Sequence, residues 1–212
     1  MRTDELIGQL SERLEPVNGH RLAWLLLGAA AVGIVGSILV MLGMLGLRYD
    51  FASAITSFGM WTKLVYCFAI ALFGFFLVER AGRPGADMTR PALLLLLPLL
   101  AIALLAVLQI SAPGADMPKL VLGHSSRVCA FLVTLTALPI LAASFWALRQ
   151  LAPTRLTLSG AIAGLFAGAA GAFVYSFHCT EGAAPFIAIW YSLGILLTTA
   201  LGALLGRHLL RW

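Results

Sequence analysis

Charge is scarce in this sequence. Only 11% of its 212 residues are Asp, Glu, Lys or Arg, while 61% are apolar, against about 25% and 45–50% in soluble domains. A chain of this length cannot hide that surplus in a soluble core, so an ordinary soluble domain is excluded. Cysteine is scarce too, with three residues at positions 67, 129 and 179. They are too few for a series of redox centres, and no pair of histidines lies at mid-depth to hold haem, which argues against a membrane oxidoreductase. The centres of the long apolar runs contain no Asp, Glu, Lys, Arg or His. That lack weighs against the main alternative function, a small-solute or metal permease of the inner membrane, because permeases place ionisable groups or broken helices near the midplane. The net charge is +5, but the basic residues are scattered over loop ends instead of forming one face. Orientation in a membrane accounts for them better than direct nucleic-acid binding does.

What is present is a succession of apolar runs, at about 22–47, 60–78, 91–111, 127–148, 156–177 and 185–206. Each is close to the roughly 20 residues needed to cross about 30 Å of hydrocarbon. The expected fold is all-α, a polytopic membrane protein built as a bundle of about six transmembrane helices. The first twenty residues lack the layout of a cleaved signal peptide, so the first span is expected to be retained. Lys63, inside the second span, is expected to snorkel to the outer interface. Short connections rich in Gly, Pro and Ala, such as Gly82 to Gly85 and Ala152–Pro153, mark turns between antiparallel neighbours.

Orientation follows from Lys and Arg. With the N-terminus inside, ten (Arg2, Arg13, Arg21, Arg80, Arg83, Arg90, Arg149, Arg155, Arg207, Arg211) fall on cytoplasmic segments and four (Arg48, Lys63, Lys119, Arg127) on outer ones. The expectation is a bacterial inner-membrane protein with both termini cytoplasmic and inner-membrane lipid around it. Trp24, Trp146 and Trp212 fall at inner boundaries, and Tyr49, Trp61 and Tyr175 at outer ones, where amphipathic rings prefer to lie. Gly160, Gly164 and Gly168 on the fifth span, and Gly202 and Gly206 on the sixth, repeat every four positions, which predicts close backbone contact and a tightly packed fifth helix. Pro98 and Pro139 should kink their helices without ending them.

Residues 1–20 form the one stretch of soluble character, set apart from the six-helix domain at 21–212. Thr3 can cap a helix whose first turn carries Asp4 and Glu5 and which Pro16 ends. Leu6, Ile7, Leu10 and Leu14 then share one face. Four acidic residues against two arginines disfavour an anionic lipid surface and favour a protein partner, on which so short a helix would fold.

Cys67 sits among Leu64, Phe68 and Phe73 and reads as a small buried apolar residue. Cys129 opens the fourth span and Cys179 follows the fifth, so both thiols reach the outer side at similar depth. There they can form a disulfide if the backbones are close enough, or bind a soft ion as thiolates. His178 is adjacent, Glu181 and His124 are near, and a set of thiolate plus imidazole suits copper, zinc or cadmium.

Read together, Cys129, Leu138–Pro139, Ala152–Pro153, the glycine series, Tyr175-x-x-His178-Cys179-x-Glu181, Trp190–Tyr191 and Leu210–Arg211–Trp212 resemble the NrsF family of bacterial inner-membrane anti-sigma factors. The opening Thr3-Asp4-Glu5-Leu6-Ile7 and Pro16–Val17 is similar as well. The resemblance implies a six-span protein and no enzymatic activity. It implies that the cytoplasmic arm around Asp4 to Leu14 sequesters a sigma factor of the extracytoplasmic-function group. It also implies that Cys129 and Cys179 sense heavy-metal or oxidative stress, with no cofactor required.

Overall fold

The computed structural model describes residues 19–83, 85–151 and 153–211. The arm, including Asp4, Glu5, Leu6, Ile7, Leu10 and Leu14, lies outside the described residues, as does Trp212. Every regular element among the described residues is helical: α1 (Gly19–Val40), α2 (Phe51–Ala54), α3 (Phe58–Ala81), α4 (Thr89–Leu94), α5 (Leu96–Ile110), α6 (Met117–Leu122), α7 (Ser126–Arg149), α8 (Leu156–Tyr175), α9 (Ala184–Phe186) and α10 (Ser192–Leu209), with π-helical turns at Met41–Leu45 and Ile187–Tyr191. They make six helical stretches long and apolar enough to cross a bilayer. The expected all-α fold and six candidate spans are therefore present.

Helix α8 is the hub. It packs against α10, α3 and α7, while α1 lies along α7 and also touches α8 and α3, and α5 flanks α3 and α9. Small residues make this possible. A β-carbon on Gly160 would lie 2.7 Å from the Gly206 Cα, and one on Gly164 would lie 2.8 Å from the Thr199 Cα. The glycine series of the fifth and sixth runs face each other, giving the close backbone contact and tightly packed α8 that their spacing predicts. Hydroxyls add polar links: Thr136 Oγ1 donates to the Gly171 carbonyl (3.1 Å) across α7 and α8, and the Tyr66 and Ser192 hydroxyls lie 2.6 Å apart across α3 and α10.

Pro139 is accommodated inside α7. Near Pro98 the run is interrupted at Leu95, between α4 and α5, because proline cannot donate to the carbonyl four residues earlier. The core divides lengthwise into two clusters. One, around Leu26, Leu77, Leu148 and Leu210, lies toward the end bearing Arg80 and Arg149; the other gathers Cys67, Cys129, Cys179, Tyr175 and Tyr191 at the opposite end.

Lys63 departs from expectation. Its side chain does not reach for the interface but is fully buried, with 0% exposure. Tyr175 likewise turns inward at 1% exposure, whereas Trp24, Trp61 and Trp146 face outward. The reason in both cases is the polar cluster around Cys179.

Candidate functional site

Cys129 belongs to the first turn of α7, where its amide donates to the Ser125 carbonyl (2.9 Å). Cys179 lies one turn beyond α8, its amide bonded to the Tyr175 carbonyl (3.1 Å). Antiparallel packing of α7 and α8 brings these positions together in one core cluster, and the two thiols are close enough to share a hydrogen bond. Both are free and buried, with exposures of 0% and 3%.

Around this pair the structure assembles an uncommon set of donors. The ammonium of Lys63 donates to the Cys179 carbonyl at 2.7 Å, and Nη1 of Arg48 donates to the same oxygen at 3.2 Å. Arg48 is itself gripped by Asp50 through two bonds of 2.7 Å, a bidentate pair that holds the Asp50 carboxyl below its usual range. The Cys179 thiol is held well below its ordinary value. The hydrogen bond from Cys129 is the main cause; burial opposes it, and the Lys63 charge, the Tyr191 hydroxyl and the Glu181 amide reinforce it. The hydroxyls of Tyr191 and Ser125 are buried without a conventional hydrogen-bond partner.

The segment that follows α1 and its π-helical turn is tied to this site by three bonds. The Arg48 amide donates to the Phe177 carbonyl (3.2 Å), Arg48 Nη1 reaches Cys179 as above, and His178 Nδ1 donates to the Gly46 carbonyl (3.0 Å). Gly46 has φ of 75°, a left-handed conformation that lets the chain leave the π-helical turn at Met41–Leu45 and present that carbonyl. The second π-helical turn, Ile187–Tyr191, supplies Tyr191. Both π turns therefore sit at the cysteine end, in keeping with their frequent occurrence at functional sites.

Of the residues singled out from sequence, Cys129 and Cys179 are brought together. His178 follows them but spends Nδ1 on Gly46, while Glu181 accepts from the His124 amide (2.7 Å) beside Gly123, whose φ is 51°. Among the described residues no group of three or more His, Cys, Asp and Glu side chains is placed to hold a metal ion. Sequence reasoning missed Lys63, Arg48 and Tyr191. A signal did exist for the first: Lys63 and Cys67 are four apart in α3 and so share a helix face.

The profile of the family described as NrsF, negative regulator of sigma F, matches residues 10–212. The chain belongs to the NrsF family. Among NrsF relatives, the anti-sigma-F factor NrsF of Caulobacter vibrioides (strain NA1000 / CB15N) is 38% identical over 218 residues, covering 100% of both chains. The probable anti-sigma-F factor NrsF of Azospira oryzae (strain ATCC BAA-33 / DSM 13638 / PS) is 37% identical over 213 residues, again with 100% of both covered. No solved structure matches this NrsF-family chain.

Proposed function

We propose that this NrsF-family chain is a non-enzymatic anti-sigma factor of the bacterial inner membrane. Six spans hold it there, with the Cys129–Cys179 end outside and both termini in the cytoplasm. Its acidic, amphipathic arm around Asp4 to Leu14 retains a sigma factor of the extracytoplasmic-function group. Oxidation of Cys129 and Cys179, or capture of a soft cation such as copper, zinc or cadmium by the two thiolates, releases that partner. The names of the relatives support the anti-sigma role, and the distribution of Lys and Arg supports the orientation.

The observation that carries the reading is the continuity of α1. Its N-terminal end adjoins the arm, and the turn that follows it is hydrogen-bonded through Gly46 and Arg48 to residues 177–179. A covalent change at Cys179 that moves this turn acts on the helix leading to the arm. Lowering occupancy from 99% to half needs a change in binding of about 2.7 kcal/mol, within the range that a disulfide contributes.

The test is a sigma-dependent reporter in cells carrying variant chains. Leu10→Glu places a carboxylate on the face that the arm buries against its partner and should switch the reporter on without stress. Cys129→Ser with Cys179→Ser should keep it silent under oxidant or metal. Full induction in the double-serine strain would refute the sensing role, and continued repression by the Leu10→Glu chain would refute the arm.

A further inference from the structure

The two thiols are not equivalent toward a reagent arriving from outside. A recess of about 290 Å³ opens at the cysteine end and is lined by Arg48, Tyr49, Ser125, Tyr175, His178 and Cys179. Cys129 does not line it and is fully enclosed. Tyr49 at the rim is 94% exposed, so the recess communicates with the surroundings. Such a volume admits several water-sized molecules at about 30 Å³ each. Its lining is suited to a small polar reactant: the Arg48 guanidinium, the Ser125 hydroxyl with no partner of its own, and the imidazole of His178.

We infer that this recess is a reaction chamber for hydroperoxides, in which Cys179 is oxidised first and Cys129 resolves the product. The inference rests on the sensing role proposed for the pair and assigns its order and its reactant. In the first step the Cys179 sulfur attacks one peroxide oxygen. An S–O bond forms, the O–O bond breaks, and the departing oxygen takes up one proton, equivalent to the one the thiol gave up on ionising, and leaves as water or alcohol, so sulfur is oxidised by two electrons and the peroxide is reduced by two. Arg48 is placed to stabilise the oxygen that departs, a donor already in position before the reactant arrives. In the second step the Cys129 sulfur attacks the sulfenic acid on Cys179; the S–S bond forms, the S–O bond breaks, and the Cys129 proton leaves with the hydroxyl as water. The enclosed position of Cys129 against Cys179 suits it to the second step and not to the first.

The test uses the full chain in membrane vesicles, exposed to hydrogen peroxide in the presence of dimedone, with adducts located by mass spectrometry. Cys129→Ser should accumulate the adduct on Cys179, and Cys179→Ser should give about tenfold less on Cys129, as expected for site-selective oxidation of the thiol that borders the recess. Cys129→Ala repeats the first arm without a hydroxyl at that site. Ser125→Phe, which fills the recess, should slow labelling of Cys179 by cumene hydroperoxide more than by hydrogen peroxide. Equal labelling of Cys129 in the Cys179→Ser chain would overturn the order. Failure of the wild-type chain to form the Cys129–Cys179 disulfide with either peroxide would overturn the reactant. None of these readouts involves the sigma factor, so ordered oxidation without release would leave this inference standing and refute the sensing role instead.

Discussion

A buried lysine is costly unless its charge is answered nearby. Lys63 is answered by the carbonyl of Cys179, 116 positions away in the chain, and this is why its burial was not legible locally. From sequence alone it is a cation near the end of an apolar run, where snorkelling is the general rule. Its charge is one of the influences that lower the Cys179 thiol, after the hydrogen bond from Cys129. The sign of the consequence is definite. A thiol with a lowered value is already thiolate, and reactive, at mildly acid pH; removing the cation raises the value and delays that reactivity to higher pH. Lys63→Met should therefore slow iodoacetamide alkylation of Cys179 at pH near 6 and converge on the wild-type rate above pH 9, with Lys63→Arg restoring much of the difference. Superimposable pH profiles for Lys63→Met and wild type would show that the lysine only fills space. The place of Arg48 and Tyr191 at this site was missed for the same reason, since each acquires meaning only once the residues after α8 fold back onto the first and last helical stretches.

At the scale of helices the sequence was far more informative. Six apolar runs became six candidate spans with boundaries shifted by a few residues, apart from the fourth, which reaches back through α6 to Met117; the agreement follows because length and hydrophobicity are properties of contiguous chain. The glycine repeat was legible because a four-residue period defines one helix face regardless of its partner. The π-helical turns were not, since apolar runs look the same whether a turn closes four or five residues on. The glycines also differ sharply from one another in consequence. A β-carbon on Gly28 of α1 would meet nothing within 4 Å, whereas one on Gly164 of α8 would collide with the backbone of α10. Gly28→Ala should leave the thermal midpoint in detergent unchanged or slightly raised, given the modest helix preference for alanine. Gly164→Val should lower it markedly, at a cost of about 1–3 kcal/mol or more if the helices must part. A neutral Gly164→Val would mean that α8 and α10 are not packed as described.

For the molecule as a whole, the question is whether the thiol pair at one end and the sigma factor proposed to be held at the other belong to one equilibrium. The hydrogen bonds that join Gly46 and Arg48 with residues 177–179 give α1 a mechanical connection to the cysteine end, but a connection becomes regulation only if each event changes the free energy of the other. Coupling of that kind is reciprocal. If the disulfide form binds the sigma factor about 100-fold more weakly, a difference of about 2.7 kcal/mol, the bound sigma factor must stabilise the dithiol by the same amount. The two-electron midpoint potential of the Cys129–Cys179 couple should then become more positive by about 60 mV when the partner is saturating. Redox titration of the chain in vesicles, with and without purified sigma factor, measures that shift directly. A shift of the opposite sign would mean that oxidation tightens the grip. No shift, in a chain that still binds its sigma factor, would disconnect the two ends of the bundle and leave retention and thiol chemistry as independent properties of the same protein.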